Sequence, residues 1–134
     1  MANEYKIFIS HSWQYTDTLE ALRKLLNERG YFNATYEEST KEKPINSEDE
    51  SYIKRRLTQK IGDSNVILAL AGVYASHSSW MKWELDKALA LGVPIIGVIP
   101  RGQERVSTIV YERSIVDVRW NTESIIAAIR AHAK

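Results

Sequence analysis

The chain reads as an α/β domain, a five-stranded parallel sheet with helices on both faces, and three observations predict it. Short apolar runs alternate with segments whose apolar residues recur at helical spacing. Two of the runs, Val66 to Ala71 and Pro94 to Ile99, are almost continuously apolar, as expected of central parallel strands covered on both sides. The alternation of five strands with four clear helices then calls for crossover connections, which are right-handed and stack helices on both faces.

The first strand is Lys6-Ile7-Phe8-Ile9, ended by Ser10-His11-Ser12. Leu19, Leu22 and Leu26 follow at helical spacing until Gly30, with Asp17 as the expected cap of this first helix. Phe32 to Tyr36 forms a weaker second strand, and the polar segment from Glu37 to Asn46, which contains Pro44, is the longest loop. Ser47-Glu48-Asp49-Glu50 has the capping-box form, serine with glutamate three residues on, and Ile53, Leu57 and Ile61 mark the helix up to Gly62. After the strand at Val66, a helix beginning near Ser79 runs to Gly92, with Met81, Leu85, Ala88 and Leu89 as its apolar stripe. The last strand is Ile115 to Val118. Asn121 or Thr122 then caps a helix with Ile125, Ile126 and Ile129 on one face.

The 134 residues, 44% hydrophobic and 26% charged, suit one domain spanning residues 1–134 with a real core. Lys and Arg total 18 against 17 Asp and Glu, so no bulk field favours nucleic acid. Without cysteine there is no disulfide framework, thiolate metal site or thiol nucleophile. His77 and His132 lack partners at metal-ligand spacing, so no metal is expected. No signal core or span of roughly 20 apolar residues occurs, and the expectation is a cytoplasmic protein with neither membrane nor nucleic-acid partners.

Two common α/β sites fail on the residues. No closely spaced glycines follow the first strand and no Gly-rich Walker loop occurs. A response-regulator receiver would need acidic residues at Ser10-His11 and an aspartate after Ala71, where Gly72-Val73 stand. Ser78-Ser79-Trp80-Met81-Lys82-Trp83-Glu84 instead places two indoles and a carboxylate just after a buried strand, at the sheet edge where open α/β folds bind ligands. On spacing alone Glu84 also fits a solvated helix residue paired with Lys87 or placed near the helix N-terminus.

Phe8-Ile9-Ser10-His11-Ser12, the segment from Ile61 to Ala71, and above all Tyr74-Ala75-Ser76 followed by Ser79-Trp80-Met81-Lys82-Trp83-Glu84-Leu85 resemble the motifs of the TIR (Toll/interleukin receptor) domain and its TIR-like bacterial relatives. Met81 stands where many relatives have cysteine, which is not thought to be the chemical group. The resemblance implies a flavodoxin-like fold with strand order 2-1-3-4-5. It further implies NAD as a substrate, with no bound cofactor, and Glu84 as the catalytic carboxylate that meets the oxocarbenium-like ribose when nicotinamide leaves.

Ser10, His11, Ser12, Trp13 and Trp80 are the implied substrate-binding residues. For Trp80 a half-buried core aromatic is an equal reading, His11 is equally a loop hydrogen-bonder, and Trp83 is expected to be structural. The Glu37 to Asn46 segment falls where relatives carry their mobile BB loop, though an ordinary solvated loop fits its composition as well. A free-standing domain of this kind resembles bacterial antiphage proteins of the Thoeris type, whose product activates a separate effector; self-association or assembly with other TIR domains is also implied. The alternatives are a non-catalytic interaction module and a nucleoside deoxyribosyltransferase-like enzyme.

Overall fold

Alternate residues of a strand face opposite sides, so the apolar runs must be covered twice, and the sheet is built accordingly. The computed structural model describes residues 4–11, 16–30, 32–38, 50–71, 79–100 and 107–134, with Thr16, Asp17, Glu38, Glu50, Ser79 and Trp80 described by backbone alone. Five strands, β1 (Glu4–Ser10), β2 (Asn33–Glu38), β3 (Val66–Leu70), β4 (Ile95–Val98) and β5 (Val116–Val118), pair in parallel in the order β2-β1-β3-β4-β5. The helices are α1 (Thr16–Asn27), α2 (Glu50–Gly62), α3 (Ser79–Leu91), α4 (Thr108–Tyr111) and α5 (Thr122–His132).

Ile7, Ile9, Leu68 and Ile96 face α1 and α5, meeting Leu22 and Leu26 of the first and Ile125 and Ile129 of the second. Phe8, Ile67, Ala69 and Ile95 face the other way, onto Leu57 and Ile61 of α2, Met81 and Leu85 of α3, and Val110 of α4. All residues of β3 and β4 are buried, which accounts for their unbroken apolarity. β1 therefore leads to a helix on one face and β3 to a helix on the other. The connections diverge between the C-terminal ends of these neighbouring strands, the topological switch point where such sheets bind ligands.

Helix ends follow the local chemistry. Asn121 caps α5, its side-chain oxygen accepting from Ser124 N at 3.0 Å. Gly92, at φ 73°, ends α3: its N–H donates to Leu89 O at 3.2 Å and that of Val93 to Ala88 O at 2.9 Å, the paired bonds of a left-handed C-terminal cap. Across the α1/α5 layer the Arg29 guanidinium grips both Glu123 oxygens at 3.0 and 2.9 Å and holds that carboxyl below the usual range.

Apart from shifts of one or two residues at the ends of β1 and β5 and at the start of β2, four departures from the sequence reading stand out. β2 continues through Glu37 and Glu38, because backbone pairing with β1 up to Ile9↔Glu38 extends an edge strand whatever its exposed side chains. Residues 39–49, which hold the rest of the expected loop and the capping-box serine Ser47, lie outside the described residues. α1 opens at Thr16, one residue before the expected cap Asp17. α4 is a fifth, single-turn helix whose one buried side chain, Val110, gives no periodicity to read. Leu89 is 51% exposed: the buried stripe of α3 runs through Met81, Glu84, Leu85 and Ala88, and Leu89 falls beyond its edge. No described helix is long and apolar enough to cross a membrane.

Candidate active site

Ser10 is the last residue of β1 and shares the parity of Phe8, so its side chain points to the α3 side of the sheet. Glu84 arrives from α3 in the second turn, three residues after Met81 and four before Ala88, on the same buried stripe. The two meet across the switch point. Ser10 Oγ donates to Glu84 Oε1 at 2.7 Å, with the serine 0% and the glutamate 1% exposed. Taking a carboxylate out of water is costly, and a hydroxyl donating to it offsets part of that cost. The solvated-helix reading of Glu84 therefore fails, and Lys87 lies instead over the Trp83 ring.

The elements around this pair are tied together. Ala71, just past β3, donates its N–H to Val98 O at 2.8 Å and accepts from Ser107 N at 2.9 Å. Arg113, after α4, donates from Nε to Asp86 Oδ1 at 2.6 Å and from Nη1 to Ile109 O at 3.0 Å. It thus pins α4 to α3 two residues from Glu84. Trp83 is half-buried between α2 and α3, with Lys54 and Lys87 nitrogens each 5.6 Å from its ring centre, which bears out its structural reading.

Of the residues expected in the site, Glu84 and Ser10 are brought into contact and His11 is buried directly after Ser10. Ser12 and Trp13 lie outside the described residues; the backbone puts Trp80 in the first turn of α3, one turn before Glu84, and its side chain is not described. Sequence reasoning missed the Ser10–Glu84 bond and the Arg113–Asp86 clamp. The first had a partial signal, a glutamate inside an apolar helical stripe; the second had none. Among the described residues no group of three or more His, Asp and Glu side chains could hold a metal ion.

A cavity of about 390 Å³ lies elsewhere, against α2 and the start of β1, lined by Lys6, Thr35, Arg56 and Asp63 with the Lys60–Glu37 ion pair at 3.4 Å. Lys6 and Ser10 are four residues apart on β1, about 13 Å at strand rise. It is not part of the Glu84 site.

A sequence profile described as the TIR-like domain of the Thoeris protein ThsB matches residues 8–105. No curated protein sequence matches the chain. Among solved structures, a 2-deoxyribosyltransferase from Bacillus psychrosaccharolyticus is similar at TM-score 0.66 and 15% identity, over 90% of this chain and 89% of that one. The CMP N-glycosidase BcmB of Clostridium botulinum is similar at TM-score 0.55 and 16% identity, over 93% and 98%. At these identities the two structures establish the shared fold.

Proposed function

Because the chain belongs to the family of the Thoeris ThsB TIR-like domain, we propose that it is an enzyme that cleaves the nicotinamide–ribose bond of NAD and produces an ADP-ribose derivative in antiphage defence. The observation that carries this reading is the Glu84 carboxylate, buried on α3 at the switch point and hydrogen-bonded by Ser10. Nicotinamide is bound to ribose as a positively charged ring, so it leaves as a neutral molecule with the bonding electrons and needs no acid to protonate it. What the reaction needs is a negative charge beside the ribosyl cation that remains, and one carboxylate supplies it. Water, a hydroxyl or ring nitrogen of the same molecule, or an added acceptor then bonds to the anomeric carbon, and where the acceptor is water or a hydroxyl its proton passes to solvent. The product is a signal for a separate effector. The Glu84 carboxylate is closed to solvent here, so what covers it must move for the ribose to reach it.

A second reading, favoured by the fold shared with a deoxyribosyltransferase and a CMP N-glycosidase, is cleavage of the base–sugar bond of a nucleoside or nucleotide. It uses one carboxylate in the same way. Incubating concentrated protein separately with NAD, deoxynucleosides and CMP, and identifying products by mass spectrometry, separates the two. Nicotinamide release supports the first reading; free base from the others, with NAD intact, replaces it by the second.

A further inference from the structure

We propose that Ser10 is a positioning residue for Glu84 rather than a contact for substrate, an inference that rests on Glu84 being the group that meets the ribosyl cation. Ser10 has no exposed surface, and its hydroxyl hydrogen is directed to Glu84 Oε1 at 2.7 Å. A serine has a single hydroxyl proton to donate, and here that hydrogen bond goes to the carboxylate. The serine ends β1 and lies opposite Ala69 in β3, one residue past Ile9, where pairing with β2 stops. Glutamate reaches its carboxylate through three rotatable bonds. Holding Oε1 from β1 narrows the rotamers open to the side chain and so restrains the carboxylate as a whole.

A charge held in place before the reaction needs no reorganisation while the cation forms, so the benefit falls on turnover rather than on substrate binding. The residue is separated from its partner by 74 positions in sequence, which is why it reads there only as part of a first-strand motif.

The test uses Ser10→Ala and Ser10→Thr in the full chain. For Ser10→Ala, kcat for nicotinamide release falls about 10- to 100-fold, the range for a lost hydrogen bond to a charged group, while KM stays within about twofold. Ser10→Thr restores the hydroxyl and recovers most of that loss. A raised KM with unchanged kcat makes Ser10 a substrate contact and overturns the proposal, as does wild-type kcat in Ser10→Ala. Unfolding midpoints of both variants identify a purely structural effect: a fall in stability with turnover per folded molecule unchanged also overturns it.

A second readout is independent of turnover. With ¹³C-labelled glutamate, the Glu84 carboxyl signal is assigned by its disappearance in Glu84→Gln. It moves in Ser10→Ala and returns towards its original position in Ser10→Thr; no movement in Ser10→Ala overturns the proposal. A wild-type protein that leaves NAD intact removes the NAD reading, and the carboxyl signal still decides whether Ser10 sets the state of Glu84.

Discussion

Replacing Gly97 by alanine tests the packing that seats α4 on the sheet. Gly97 lies in β4 directly opposite Asp117 of β5. A Cβ built there falls 2.0 Å from Asp117 Oδ1, 3.1 Å from Asp117 Cγ and 3.0 Å from Val110 Cγ1. Ordinary contact begins near 3.4 Å, so the oxygen has to retreat by about 1.4 Å. That retreat breaks its 2.7 Å bond from Ser114 Oγ, worth about 1 kcal/mol, and the methyl group crowds Val110 in the core at a cost of about 1–3 kcal/mol.

The expected loss is therefore about 2–4 kcal/mol, read as a lower urea midpoint at constant slope. Combining Gly97→Ala with Asp117→Ala removes the clashing carboxylate and restores part of the loss, so the two changes are non-additive. A Gly97→Ala protein within about 0.5 kcal/mol of wild type refutes the reasoning. So does a double variant in which the two losses simply add.

Arg113→Ala removes the clamp between α4 and α3; the arginine is largely buried but Asp86 is half-exposed, so about 1–2 kcal/mol of stability is lost, measured by urea unfolding, and unchanged stability contradicts the clamp. Burial pushes the Tyr36 phenol up to about 12, partly offset by Arg23 over its ring, so a phenolate absorbance titration shows a tyrosine ionising near pH 12 that Tyr36→Phe removes. Because the unfolded chain gives up this proton near pH 10 and the folded one later, the tyrosine lowers stability as pH rises from about 10 to about 12, and Tyr36→Phe removes that slope. At neutral pH the same variant is as stable as wild type or more so, since the buried Tyr36 hydroxyl has no hydrogen-bond partner among the described residues.

Periodicity located the major elements because their cores are periodic: Leu19, Leu22 and Leu26 of α1, and the unbroken β3 and β4, are all buried. It located α4 nowhere, since one buried valine in a single turn makes no pattern. Strand order is a long-range property that periodicity does not contain, and the TIR-like resemblance supplied the order that the structure has. Gly97 was invisible as a constraint, because an apolar run looks the same whether its glycine is required by Asp117 or not. The candidate site was half legible. Glu84 and the first-strand motif were visible as separate segments, but their contact depends on strand parity, helix phase and sheet order acting together.

The proposed role of Glu84 in NAD cleavage is measured most directly as nicotinamide release by concentrated wild-type protein beside a folded Glu84→Gln variant. The replacement keeps the shape and removes the negative charge proposed to stabilise the ribosyl cation. The wild type is expected to give nicotinamide and an ADP-ribose derivative, with release lowered by at least about 100-fold in the variant, as for loss of a principal electrostatic stabiliser. Equal release from both proteins, or none from the wild type, would contradict that role.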